Sequence, residues 1–259
     1  DYTIQPEKND HPLNGVSTFD LVLISKHILG IEKFDNPYQM IAADVNGSGT
    51  ITAFDMVQTR QLILNITRAF TNSPSWKFVD ANYEFTTDSP ISEAYPQVTQ
   101  VTDLRHDMMA NFIAIKVGDV NGNARPNSFA AAEDRTTTNT FEISTEDKVL
   151  KAGETYSLAF STKQLTEIQG YQFTLGYDNL KMEKLKSGLA GVENFGLHKM
   201  DKGFITTSWN ESTELQSNHT ASEQTASTEL FKISFTALRD GKLSQQLSLL
   251  DRPTAIEAY

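Results

Sequence analysis

Cysteine is absent from the 259 residues, which excludes a disulfide framework and any thiolate metal site, and leaves the redox compartment unreadable. Histidine is scarce and scattered, at positions 11, 27, 106, 198 and 219, with no spaced pair of the kind a zinc centre uses. Gly-x-Ser-x-Gly, His-Glu-x-x-His and phosphate-loop patterns are all missing, so no acid–base or nucleophile constellation stands out and a non-enzymatic protein is expected. No apolar run approaches the roughly 20 residues needed to span a bilayer. Cations are few: 22 Lys and Arg against 33 Asp and Glu leave a net charge of -11. Such a balance argues against nucleic acid and anionic membranes, and suits a solvated extracellular or calcium-loaded protein. The opening Asp1-Tyr-Thr-Ile is not a signal peptide, and residues 1–8 read as the end of a preceding segment.

Oxygen-bearing side chains, in contrast, fall into a pattern at Asp44-Val-Asn-Gly-Ser-Gly-Thr-Ile-Thr-Ala-Phe-Asp55. Asp44, Asn46 and Ser48 occupy the first, third and fifth places of a calcium loop of the EF-hand type. Gly49 takes the sixth, where the backbone turns sharply. Thr50 offers its carbonyl at the seventh, Thr52 acts through a water at the ninth, and Asp55 closes the twelfth. A hard cation takes six to eight oxygens at about 2.3–2.6 Å, and alternating residues of a tight loop can point inward together. The competing explanation is a Gly/Asn/Ser turn leading into an Asp-capped helix.

The second half of this loop and its helix are duplicated. Val16-Ser-Thr-Phe-Asp20 runs into Leu21–Leu29 as Ile51-Thr-Ala-Phe-Asp55 runs into Met56–Leu64, about 35 residues later. Leu21, Ile24 and Ile28 recur at helical spacing. Ser17 or Thr18 is the expected cap of the first helix, Gly30 its left-handed end, and Asn65 the equivalent of Gly30 after the second. Asn36-Pro37 is expected to start a short helix over 37–42. Ahead of Asp20 the loop is damaged, because Leu13, His11 and Asn9 stand at its fifth, third and first places.

An Asp-x-Asn-x-Ser-Gly loop closed by Asp, followed at once by a helix ending in Ile-Leu and half-duplicated upstream, resembles the dockerin family over residues 9–66. The resemblance implies a calcium-dependent module that docks onto a β-sandwich cohesin. It also implies recognition through the tenth and eleventh loop places and the middle of the following helix. Those positions are Thr18, Phe19, Ser25 and Lys26 in the first copy, and Ala53, Phe54, Arg60 and Gln61 in the second. Packing of Phe19 and Phe54 into a core is the alternative.

Residues 71–117 read as a β insertion, with strands at Ser75–Asp80, Tyr83–Phe85 and Phe112–Val117. The last runs into Gly118-Asp-Val-Asn-Gly-Asn-Ala124, in which Asp119, Asn121 and Asn123 have the spacing of the first, third and fifth calcium ligands and no closing Asp follows. Members of the dockerin family often open with the same Gly-Asp-Val-Asn-Gly. Asp119, Asn121 and Asn123 are therefore expected to join Gly15 and Asp20 in a second Ca2+ site split across the chain; a separate partial site and a plain Asn-Gly turn are the other readings.

Residues 125–138 read as a linker. From 139 to 259, alternating segments at Thr140–Ser144, Tyr156–Phe160, Tyr171–Tyr177, Phe204–Trp209, Leu230–Ala237 and Leu247–Leu250 argue for an all-β sandwich, with a polar loop over 211–228. Gly170-Tyr-Gln-Phe-Thr-Leu-Gly-Tyr-Asp178, then Ser208-Trp-Asn210, then Leu230-Phe-Lys-Ile-Ser-Phe-Thr-Ala237 resemble the cohesin family, although carbohydrate-binding modules share such strands. Tyr171 and Trp209, on alternating strands, are expected in the core rather than as sugar platforms. The expected fold class is multidomain α+β. A small helical, duplicated calcium-loop domain (9–124) carries a β insertion and precedes a cohesin-like or jelly-roll sandwich. The combination also resembles large secreted Bacteroidetes proteins exported by type IX secretion. That implies an extracellular or cell-surface structural and adhesive segment with protein partners, including copies of itself in a fibre. An adaptor recruiting other proteins, or a glycan-binding accessory, is the alternative.

Overall fold

The computed structural model describes residues 1–86, 90–127, 140–211 and 227–259. Most of the expected 125–138 linker and of the 211–228 loop lies outside the described residues. The chain divides into two compact units, Asp1–Leu62 with Thr67–Ala131, and Ile63–Ile66 with Ala132–Tyr259.

The first unit is built on helices that begin where the sequence supplies caps. Strand β1 spans Tyr2–Ile4 and helix α1 Thr18–Ile28. Ser17 caps α1: its hydroxyl accepts from Phe19 N, and the Asp20 carboxylate accepts from Ser17 N, closing a capping box. Gly30 (φ 70°) and Asn65 (φ 58°) both take the left-handed conformation expected after a helix. Helix α2 covers Pro37–Ala43, with Asn36 accepting from Tyr38 N and Pro at its first turn, and α3 covers Ala53–Ile63. Strands β2 (Trp76–Asp80), β3 (Thr99–Val101) and β4 (Phe112–Lys116) follow. β2 and β4 form an antiparallel ribbon in which Trp76 faces Lys116 and Lys77 faces Ile115. Val79 and Ile115 on that ribbon join Ile24, Phe34, Ile41, Ala42, Ala43 and Val120 in one core cluster.

One expectation fails in this unit. Tyr83–Phe85 is not a strand, because Ala81-Asn82 turns the chain and Tyr83 N bonds back to Asp80 O. Its rings instead pack edge-on, Phe85 against Tyr38, Tyr83 and Tyr95. Within residues 1–8, β1 pairs antiparallel with β3, Tyr2 opposite Val101.

The second unit is all-β. Its strands are β5 (Val149–Leu150), β6 (Thr155–Thr162), β7 (Gly170–Tyr177), β8 (Leu180–Ser187), β9 (Phe195–Gly196), β10 (Phe204–Asn210), β11 (Thr228–Ala237), β12 (Gly241–Lys242), β13 (Leu247–Leu250) and β14 (Glu257–Ala258). One sheet runs β13-β7-β10-β9 with β14 also on β7; a second runs β6-β11-β8. Both sheets feed one core, where Phe195 of the first meets Phe231 of the second edge-on at 5.0 Å. Alternation in β6 and β11 is kept as buried and half-exposed residues in turn, whereas every residue of β7 is buried. Thr140–Ser144 fails as a strand; only Ser144 bridges, to Ser161. Tyr171 and Trp209 are 1% and 4% exposed and stack at 5.4 Å, so they are core residues and present no platform to a glycan.

Candidate metal centres in the helical unit

The loop between α2 and α3 folds around its first and last carboxylates. Asp44 Oδ1 accepts from Ser48 N (2.9 Å) and Asp44 Oδ2 from Gly49 N (2.9 Å). Asn46 Oδ1 accepts from Ser48 N at 2.8 Å. Asp55 Oδ1 accepts from Asn46 N at 3.3 Å, and its Oδ2 accepts from Thr52 N at 2.8 Å and from the Thr52 hydroxyl at 3.1 Å. The Thr52 hydroxyl also accepts from Phe54 N at 3.3 Å, so it caps α3 while standing at the ninth place. The Ser48 hydroxyl donates to Thr50 O at 3.1 Å, holding the fifth and seventh donors side by side. Asp44 and Asp55 are buried.

The same cage is built a second time from two segments about 100 residues apart. Asp119 Oδ1 accepts from Asn123 N (3.2 Å) and Asp119 Oδ2 from Ala124 N (2.7 Å), matching the Asp44 bonds to Ser48 and Gly49. Asn121 Oδ1 accepts from Asn123 N at 3.1 Å, as Asn46 does from Ser48. Asp20 Oδ1 accepts from Asn121 N at 3.3 Å, and Asp20 Oδ2 from Ser17 N at 2.8 Å and the Ser17 hydroxyl at 3.2 Å. Those three distances reproduce the Asp55 set to within 0.1 Å. Residues 119–124 thus supply the first six places and 15–20 the last six. Asn9 takes no part; its Oδ1 accepts from Ser75 N.

The seam between the two segments falls between Ala124 and Gly15. Gly15 has φ 76°, and a Cβ there would lie 2.7 Å from Ala124 Cα, so only glycine fits. Asn14 stitches the seam on its outer side, donating from Nδ2 to Arg125 O (2.7 Å) and accepting from Arg125 N (3.2 Å).

The donors fit a divalent cation. Each cage offers two carboxylates, neutral amide or hydroxyl oxygens and a main-chain carbonyl, a hard all-oxygen set. With only two carboxylates in each, neither is a cluster of three or more His, Cys, Asp or Glu, and none occurs among the described residues. In the split cage the Asn123 amide oxygen is buried without a hydrogen-bond partner, an orphan acceptor at the fifth ligand place. Burial, with the charge of Asp119 as the next cause, pushes the Asp20 carboxyl up to about 7. Burial likewise raises Asp119, against the pull of three backbone N–H groups. Two desolvated carboxylates facing each other repel, and a cation between them or a proton on one of them relieves that cost.

The expected partner positions divide unevenly. Thr18 is fully buried, which removes its side chain from any docking face, and Phe19 is half-buried. Ser25, Lys26, Arg60 and Gln61 are half-buried, with Lys26 paired to Glu32 at 3.7 Å. In the second copy Ala53 is exposed and Phe54 is 58% exposed, rejecting the core role for that ring; Val57 beside it, 45% exposed, was not anticipated. Also unanticipated are Lys77, whose Nζ donates to Asp44 O at 3.5 Å, and Lys116, whose Nζ donates to Pro12 O at 2.6 Å and Val117 O at 3.0 Å. Only the adjacency in strand register could have flagged them.

A search of curated proteins finds no match. Among solved structures, a type I cohesin–dockerin complex from Clostridium thermocellum (Coh-OlpA-Doc918) is similar at 22% identity, covering 40% of this chain and 75% of that one, with a TM-score of 0.30. The second type II cohesin module of the adaptor ScaA scaffoldin of Acetivibrio cellulolyticus is similar at 20% identity, covering 46% and 75%, with a TM-score of 0.33. The seventh ScaB type I cohesin from Pseudobacteroides cellulosolvens follows at 15% identity, covering 42% and 77%, with a TM-score of 0.26. Residues 14–64 match the dockerin type I domain, a stretch that holds the whole of the continuous cage but only the closing half of the split one.

Proposed function

We propose that the first unit is a calcium-stapled, dockerin-like protein-interaction module, and that the chain is a non-enzymatic extracellular structural or adhesive segment. The observation that carries this is the shared set of carboxylate and amide acceptor bonds in the two oxygen cages, one continuous and one assembled from 119–124 and 15–20. A turn that merely reverses the chain has no reason to be rebuilt from distant segments with the same acceptors aimed inward. Asp44, Asn46, Ser48, Thr50 and Asp55 would hold one Ca2+, with Thr52 behind a water. Asp119, Asn121, Asn123, the Gly15 carbonyl and Asp20 would hold the other. The bound ion would neutralise each carboxylate pair.

Dockerin type I domains are interaction modules, and the exposed start of α3 at Ala53, Phe54 and Val57 is the apolar surface this copy offers a protein partner. Self-association is preferred over recruitment of other proteins, since a β-sandwich shares the polypeptide. Isothermal titration of the full chain should find two calcium ions per chain, and gel filtration should show association that chelator reverses and Phe54→Ala weakens. A chain that binds no calcium, or associates equally in chelator, would overturn the reading. A monomer that captures heterologous partners would leave the adaptor in its place.

A further inference from the structure

Each cage has a lysine beside it, and both come from the same short ribbon. Opposed residues of an antiparallel pair share a face and neighbours along a strand alternate. Lys77 opposite Ile115 and Lys116 opposite Trp76 therefore point to opposite faces of the β2–β4 ribbon. On one face Lys77 reaches the main-chain carbonyl of Asp44, the residue that opens the continuous cage. On the other, Lys116 is 4% exposed and ties Pro12 O to Val117 O, two residues before Asp119. No carboxylate lies within ion-pair distance of either ammonium among the bonds described. Each is solvated by carbonyl oxygens instead, where it serves as a fixed charge rather than half of a salt bridge.

The carboxylates that act on each lysine are chiefly those of the cage it adjoins. Burial lowers Lys77, opposed by the charges of Asp44 and Asp55. Burial lowers Lys116 to about 8, opposed first by Asp119, then Asp20, then Asp10. An ammonium held near two carboxylates relieves their repulsion while the cage is empty. Once a divalent ion sits between those carboxylates, the same ammonium is a like charge beside it. Both effects act in one direction: the empty cage gains and the loaded cage loses.

We propose that Lys77 and Lys116 are affinity-setting residues, each lowering the calcium affinity of the cage it adjoins and stabilising that cage when empty. The ribbon carrying them lies outside the segment matched to the dockerin type I domain, so this tuning belongs to the insertion. The inference rests on the calcium reading above.

Isothermal titration with Ca2+ on the full chain tests it. Lys77→Met should tighten one of the two sites by about tenfold, a fraction of the bare Coulomb energy at a protein-like dielectric. It should also lower the melting temperature of the chelated protein. Lys77→Arg keeps the charge and should titrate like wild type. Lys163→Met, an exposed lysine of the second unit, controls for net charge and should change nothing. Lys77→Gln and Lys116→Gln keep a donor for the carbonyls they serve and replace any methionine variant that fails to fold. Lys116→Gln should tighten the other site. Folded variants that bind no more tightly than wild type, while wild type binds two ions, would overturn the proposal and leave the calcium reading standing. Failure of wild type to bind calcium, with no terbium luminescence, would overturn both.

Discussion

At the scale of single residues, the two cages differ in how much depends on one side chain. Asp119 accepts from the N–H groups of Gly122, Asn123 and Ala124, so its carboxylate folds the turn as well as standing at the first place of the proposed cage. Asp119→Ala should lower the calcium stoichiometry from two to one in native mass spectrometry. Hydrogen bonds to a charged acceptor are worth roughly 1.5–3 kcal/mol each and do not add simply, so a loss of about 3 kcal/mol in unfolding free energy is expected as well. An unchanged stoichiometry would remove the split cage. Asn123 makes a sharper case, because its effect should change sign with the metal. Without an ion its buried amide oxygen has no partner, a defect of roughly 1–3 kcal/mol. Asn123→Ala should therefore leave the chelated protein as stable or slightly more stable, by urea unfolding, while weakening calcium binding at that site. A variant destabilised equally in both conditions would mean that the side chain is structural only.

Elements carried most of what the sequence made legible. Capping residues, the Pro at the start of α2 and the left-handed Gly30 and Asn65 act within one turn, so α1, α2 and α3 were readable from their own residues. The long strands β6, β7, β10 and β11 were readable from alternation and length. β8 was missed, since lysines and glutamates dominate a strand that sits at a sheet edge. β5, β12 and β14 were missed because elements this short are set by their partners, not their composition. The split cage was legible as two incomplete halves of one spacing; that they meet is a tertiary fact. Gly15 was expected at this site, but the close approach of Ala124 that demands a glycine there was not legible, for glycine in a loop has many explanations. Gly15→Ala would place a Cβ against Ala124 and force φ 76° on an L side chain. It should cost about 1–3 kcal/mol and lower calcium affinity at the split cage alone, leaving the Asp44–Asp55 cage to titrate as in wild type. Equal weakening of both cages would mean that the seam is not local.

On the scale of the whole chain, each unit has its own core, and both oxygen cages belong to the first. The second unit is held by a sandwich core whose largest buried side chains include Tyr171, Phe231 and Phe235, with no comparable cage among its described residues. Metal removal should therefore act on one unit and spare the other. A ligand that binds only the folded form stabilises it by about 2.7 kcal/mol when present at a hundred times its dissociation constant, and two sites would double that. Differential scanning calorimetry in calcium and in chelator should show one transition moving down by several degrees and one staying in place. The split cage would add a distinct signature, because an ion held there would tie residues 15–20 to 119–124. Proteolysis in chelator should open the chain near its first fifteen residues and near Asp119 before it touches the Asp44–Asp55 loop, whose ends are already joined through α2 and α3. If chelator moves neither transition and exposes neither segment, then carboxylate pairing with the backbone alone holds the helical unit together, and calcium is not part of its structure.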